Sequence, residues 1–260
     1  MKPYMRGSTP LIMGILNITP DSFSDGGRWT DPDSAVKHAL EMVDQGADII
    51  DIGAESTRPG CIPVTSSEEL DRLEPVLRDL LPSISVPVSV DTMKPDVAGI
   101  CISMGVDIIN DVNGLRANGM AETCAGSGVS VVISHMHGTY SNMHDVTMGP
   151  DYREAIREFL DVQCRRATDA GIPDSDIIVD PGLGFGKTAE QNMSIAEDLS
   201  FLGHGHSILI GASRKRFVSK HYPDMDIDDA SAIVAKKAAD SGADILRVHN
   251  VARTVAALDD

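Results

Sequence analysis

The chain reads as one α/β domain, a (β/α)8 (TIM) barrel occupying residues 1–260, and three observations point there. Its length matches the roughly 250 residues that such a barrel takes, with no remainder for a second domain. Short, nearly continuous apolar runs alternate with amphipathic helical stretches from end to end, as parallel strands covered on both faces should. A weak repeat also recurs, in Gly46-Ala-Asp-Ile-Ile, Gly105-Val-Asp-Ile-Ile and Gly242-Ala-Asp-Ile-Leu. In each copy the Gly ends a helix and the Asp-led triplet opens a strand. An open doubly wound sheet is the competing arrangement for the same alternation.

Taken in order, the strands are expected at 11–19, 48–54, 87–92, 107–112, 129–136, 176–181, 207–213 and 244–250. Helices are expected at 33–45, 68–81, 151–170 and 228–241, and the last, at 251–260, looks short for a barrel. Each strand stops in polar residues. The first runs into Asn17 and then Asp25, the second into Asp51, Glu55, Thr57 and Arg58, and the third into Asp91. The fourth supplies Asn110, Asp111 and Asn113, the fifth His135 and His137, and the sixth Asp180, Phe185 and Lys187. The seventh ends in Ser213, Arg214, Lys215 and Arg216, and the eighth in Arg247, His249 and Asn250. In a barrel these ends meet at one mouth, where active sites of this architecture are built.

Composition narrows the partners. With 42% hydrophobic and 23% charged residues the chain is an ordinary soluble protein, and at 4% aromatic its core must rest on Ile, Val, Leu, Met and Ala. Met13, Met42, Met104 and Met193 are read as core fillers. A formal charge of -17 repels nucleic acid and anionic membranes, so neither is expected as a partner. Cys61, Cys101, Cys124 and Cys164 lie far apart, as free thiols in a reducing cytoplasm would. No secretory signal or membrane span is visible, and a cytoplasmic enzyme is expected.

Against that acidic background, six of the 22 Lys and Arg residues (Arg58, Lys187, Arg214, Lys215, Arg216, Arg247) fall at strand ends, which points to an anion at the mouth. Asp91, Asp180 and Asp111 suit a different task, since a carboxylate in a pocket accepts two hydrogen bonds from an amino-pyrimidine edge. The mouth therefore reads as two-part, an acid-and-amide pocket for a nitrogen heterocycle beside a basic rim for phosphate.

The strand-end motifs are similar to those of one family. Gly14-Ile-Leu-Asn-Ile-Thr-Pro-Asp-Ser-Phe-Ser-Asp-Gly-Gly27 resembles the first signature of dihydropteroate synthases, and Asp51-Ile-Gly-Ala-Glu-Ser-Thr-Arg-Pro-Gly60 the second. Ser89-Val-Asp-Thr, Ile109-Asn-Asp-Val, Asp180-Pro-Gly-Leu-Gly-Phe-Gly-Lys, Gly211-Ala-Ser-Arg-Lys and Arg247-Val-His continue the series in order. The resemblance implies condensation of 6-hydroxymethyl-7,8-dihydropterin diphosphate with p-aminobenzoate, or a similar arylamine, by a homodimer that uses Mg2+. It places Asp91, Asn110, Asp180, Phe185, Lys215 and Arg247 around the pterin. It assigns the diphosphate to Asn17, Arg247 and His249, with Asn17 also reaching the metal. Thr57, Pro59 and Ser213 would border the arylamine. Asp25, Thr57, Arg58, Lys215, Arg247 and His249 would carry the catalysis. The chemistry needs no nucleophilic side chain, which fits the lack of a nucleophile motif.

Departures from the family pattern are Ala54 for Gly, Asn250 for Asp, and Ser134, His137 and Tyr140 near the fifth strand, with residues 138–149 departing most. Other readings stay in view. His135 and His137 share a strand face as a metal pair would, but no third ligand is evident. Gly182-x-Gly-x-Gly186 has the wrong spacing for a dinucleotide site. A methyltetrahydrofolate-binding methyltransferase would not need the basic rim. A homologue with a different arylamine, a non-catalytic pterin-binding paralogue and a metal-dependent hydrolase are the remaining alternatives.

Overall fold

The computed structural model describes residues 9–19, 31–56, 62–203 and 205–259. Eight parallel strands close in sequence order into a barrel: β1 (Leu11–Asn17), β2 (Ile49–Gly53), β3 (Val88–Asp91), β4 (Ile108–Asp111), β5 (Ser130–Ser134), β6 (Ile177–Asp180), β7 (Ser207–Ile210) and β8 (Ile245–Val248). The pairing of β1 with β8, Leu11 to Ile245 through Gly14 to Val248, excludes the open sheet. The strands end a residue or more before the sequence pattern suggested, because their last polar residues leave the ladder to enter the mouth loops.

Nine helices surround the barrel among the described residues: α1 (Pro32–Asp44), α2 (Ser66–Leu80), α3 (Pro95–Met104), α4 (Met120–Cys124), α5 (Tyr152–Ala170), α6 (Ala189–Glu197), α7 (Arg216–His221), α8 (Ile227–Asp240) and α9 (Val251–Asp259). Thr65 and Glu68 form a capping box, which starts α2 earlier than periodicity alone suggests. Short as it is, α9 buries Val251 and Thr254 and packs on α8 and β1. Among the described residues no helix is long and apolar enough to cross a membrane.

The internal repeat has a physical basis. Gly46, Gly105 and Gly242 take φ of +103°, +103° and +106°, a left-handed conformation that ends α1, α3 and α8. The Asp two positions on then clasps the neighbouring strand. Asp48, Asp107 and Asp244 each accept an N–H at 2.8 Å, from Ile12, Val88 and Ile208 respectively. Their own backbone N–H groups return a bond to the carbonyls of the same three residues. Three reciprocal clasps thus set the register at the end of the barrel opposite the mouth.

Period-two alternation divides the strand residues. One set (Leu16, Ile50, Val90, Ile109, Ile133 and their neighbours) packs outward under the helices. The other fills the barrel with Met13, Ile49, Ile108, Val132, Ile178, Leu209 and Ile245. This apolar plug is the floor on which the polar mouth stands.

Beside the mouth, Lys94 anchors the end of β2. Its ammonium donates to Glu55 Oε2 at 2.6 Å and to Glu69, which is fully buried. Glu55 Oε1 accepts from Val64 N at 3.0 Å, so the pair also joins the two flanks of residues 57–61. Replacing Lys94 with Met would leave buried carboxylates uncompensated. Chemical denaturation is expected to show a loss of about 3–5 kcal/mol at pH 7.

Candidate active site

Two residues above the apolar plug, the same inward parity brings Ile15, Asp51, Asn110, Ser134, Asp180, Gly211 and Arg247 to one level. Asp91 joins them through its pairing with Asn110. At the centre lies Arg247. Its Nε donates to Asp51 Oδ2 at 2.6 Å and its Nη2 to Asp91 Oδ2 at 2.8 Å. Asn110 Nδ2 donates to the same Asp51 oxygen at 3.2 Å. Opposite, Asp180 accepts from Ser134 Oγ at 3.2 Å and from Gly182 N at 2.7 Å. The second of these depends on a tight turn: Gly182 has φ +68°, and a Cβ there would sit 1.8 Å from the His135 carbonyl oxygen.

Above this level opens a cavity of about 840 Å³, lined by Asn17, Asp91, Phe185, Ser213, Lys215, Arg247 and His249 among others. Lys215 donates to the Leu183 carbonyl, and its ammonium stands 4.4 Å from the Phe185 ring centroid. Ser213 Oγ accepts from His249 N at 3.1 Å and lies 3.0 Å from His249 Nδ1, which orients the imidazole. Asn17, paired with Gly53 at the end of β1, lines the cavity. One wall is a cluster of Val112, Met136, Met143 and Phe185 with Met93 and Tyr140 against it.

Burial dominates the electrostatics. It pushes Asp91 up to about 7, with Asp51 adding to the shift and Arg247 working against it. Burial lowers Lys215 to about 8 against the pull of Asp180. Arg247 is raised: burial opposes its charge, but Asp51 and Asp91 outweigh it.

The structure thus lines one cavity with Asn17, Asp91, Phe185, Ser213, Lys215, Arg247 and His249, and sets Asn110 and Asp180 at the same strand level as Arg247. Asp25, Thr57, Arg58 and Pro59 lie outside the described residues. One reading needs correction. Asp111 points outward on β4, and its oxygens accept from Asn113 N and Leu115 N, both at 2.8 Å; it holds a turn and faces no ligand. Lys187 is committed to the glycine-rich turn, donating to the Gly182 carbonyl at 2.8 Å and the Phe185 carbonyl at 3.1 Å. Its ammonium also meets His135 Nδ1 at 3.0 Å, and His135 packs edge-on against Phe159, so that histidine serves the scaffold. Arg214, also at the cavity, forks onto Asp228 at 2.7 and 3.0 Å. Lys187, Arg214, Lys215, Arg216 and Arg247 all line the cavity, so the basic rim read from the sequence is present. Conversely, Asp51 was missed as a site residue, although it shares the inward parity of Asp91, Asp180 and Arg247.

The comparisons agree with this geometry. Residues 13–249 match the family model described as pterin binding enzyme. The chain is 40% identical over 245 residues to the dihydropteroate synthase of Bacillus subtilis, covering 93% of this chain and 84% of that one. It is 38% identical to the Escherichia coli enzyme of the same name, covering 99% and 94%. Among solved structures it is similar to a Yersinia pestis dihydropteroate synthase in a sulfonamide drug complex, with TM-score 0.92, 40% identity and coverage of 97% and 93%. A Burkholderia cenocepacia dihydropteroate synthase complexed with 7,8-dihydropteroate aligns with TM-score 0.87 and 36% identity, covering 97% and 90%.

The raised carboxyls set a sign for stability. Asp91 goes from 3.8 to about 7 and Asp111 from 3.8 to about 6 on folding, so between pH 4 and 7 the folded protein holds protons that the unfolded chain has released. Stability therefore falls as pH rises through that window. Denaturation midpoints of the wild type are expected to decline from pH 5 to 7.5, and Asp91→Asn is expected to flatten the decline. An unchanged slope in the variant would show that Asp91 is not the titrating group.

Proposed function

The chain belongs to the dihydropteroate synthase family, and we propose how its cavity residues divide the work of that reaction. As an enzyme of this family it condenses 6-hydroxymethyl-7,8-dihydropterin diphosphate with p-aminobenzoate, giving 7,8-dihydropteroate and diphosphate. In our reading Asp91, Asn110 and Asp180 hold the pterin's amino-pyrimidine edge, with Phe185, Lys215 and Arg247 around the rings. Arg247 has its Nη1 left over once Asp51 and Asp91 are bonded, and with His249 it meets the diphosphate.

The bond between the pterin methylene carbon and the diphosphate oxygen then breaks, its electron pair leaving on the oxygen. Positive charge developing on the pterin is tolerated because Asp91 and Asp180 lie at the pocket floor. The arylamine nitrogen attacks the methylene carbon and loses its proton. We assign the arylamine to Ser213, Thr57 and Pro59, and a catalytic part also to Asp25, Thr57 and Arg58.

A Mg2+ ion suits this donor set. Asn17 offers a neutral amide oxygen, and a Cβ at Gly53 would lie 3.6 Å from Asn17 Oδ1 and 3.9 Å from Asp91 Oδ2, so both oxygens flank the same open patch. Mg2+ takes few protein ligands and keeps its waters and phosphate oxygens. Bound there, it would neutralise charge on the leaving diphosphate. We further propose one domain over residues 1–260 acting as a cytoplasmic homodimer. The buried free thiols of Cys101, Cys124 and Cys164 suit a reducing compartment.

The observation that carries the reading is Arg247 between Asp51 and Asp91 beneath a cavity lined by Asn17, Lys215 and His249. Diphosphate release is expected to require pterin diphosphate, Mg2+ and p-aminobenzoate together. Lys215→Ala is expected to slow it by about 100-fold, the scale of losing one preorganised charge. Full activity in that variant would remove Lys215 from the mechanism, and no release by the wild type would point to another amine.

A further inference from the structure

The segment 138–149 between β5 and α5 departs most from the family's sequence pattern, yet the structure shows it firmly docked. Arg116 Nη1 donates to the Gly138 carbonyl at 2.8 Å at one end. At the other, Met148 N donates to the Gly186 carbonyl at 3.0 Å, and Gln191 Nε2 to the carbonyls of Met148 and Gly149 at 3.1 and 3.0 Å. Thr139 N closes the turn on Asn142 Oδ1 at 2.7 Å. Between these ties the segment sends Met143, His144, Val146 and Thr147 to the cavity wall.

Tyr140 is the residue that carries this segment across the mouth. Its ring packs on the methionine-rich cluster, and its hydroxyl donates to the Ser56 carbonyl just beyond β2. Glu55, one residue earlier, is held from the other side by Lys94 and Val64 N. The end of β2 is thus fastened twice, once by an ion pair and once by Tyr140.

We propose that Tyr140 is a positioning residue for the arylamine, fastening the Ser56 side of the cavity to the β5–α5 segment at the width this second substrate needs. The proposal rests on the dihydropteroate synthase reading. The polar floor of Asp91, Asn110 and Asp180 lies deep in the barrel, so the pterin takes the depth of the cavity and its partner the rim. Glu55, Ser56, Met143 and His144 line that rim. Tyr140 packs on the Phe185 and methionine wall.

The test is steady-state kinetics of Tyr140→Phe, which keeps the ring in its cluster and removes only the donor. Tyr140→Leu serves as a second apolar variant. KM for p-aminobenzoate is expected to rise about threefold to tenfold, the range set by one net hydrogen bond. At the same time kcat, the Kd for pterin diphosphate and the melting temperature should stay near wild type. An unchanged KM would overturn the proposal. So would a parallel rise in the pterin diphosphate Kd, which would place the effect on the pterin pocket. Wild-type protein that binds pterin diphosphate but releases no diphosphate with p-aminobenzoate would instead sink the underlying reading, and this proposal with it.

Discussion

Everything at the mouth depends on Arg247 being drawn into the barrel between two carboxylates. Asp51 is fully buried and Asp91 about one-fifth exposed, and the Asp51 charge alone in that setting would be strongly unfavourable. One guanidinium bonded to both makes the pair tolerable, and Asn110 adds a donor to the shared Asp51 oxygen. Because the fork is spent on the floor, only part of Arg247 faces upward. The site can then be acidic below, where an amino-pyrimidine binds, and cationic above, where a diphosphate leaves. One residue belongs to both halves.

The scaffold around that arginine is built to keep loops from moving its neighbours. The Gly182 turn aims a backbone N–H at Asp180, and Lys187 ties the same turn together through two bonds and joins it to His135 by a third. Lys94 and Tyr140 fasten the end of β2 from opposite sides. Two departures from the family pattern also find a place here. Asn250 donates to Asp228 at 3.0 Å and accepts from Arg253 N at 3.1 Å, capping α9 without setting a second carboxylate beside one already paired with Arg214. Ser134 is small and inward, and spends its hydroxyl on Asp180.

Much of this was legible in the sequence because strands and motifs obey strong local rules. Eight apolar runs and the glycine-led repeat predict the barrel, and the polar strand ends predict which side carries the cavity. Side-chain commitment was less legible. Asp111 looks like Asp91 in sequence, but one residue of parity turns it out of the barrel to hold a turn. Lys187 and Arg214 count as basic residues at strand ends, yet carbonyls and Asp228 claim them. Parity could have found Asp51. Nothing local could have found the Tyr140 contact, which joins residues 84 apart in sequence.

The most direct test of this account is the pH dependence of 6-hydroxymethyl-7,8-dihydropterin binding, measured by calorimetry on wild type and Asp51→Asn. If Asp91, raised to about 7 by burial and by the charge of Asp51, must ionise to accept the pterin, affinity will strengthen as pH rises through about 7. Removing the Asp51 charge will then move that midpoint to lower pH. Binding indifferent to pH, or a midpoint that stays in place in the variant, would contradict the claim that the two carboxylates share one arginine to hold the substrate.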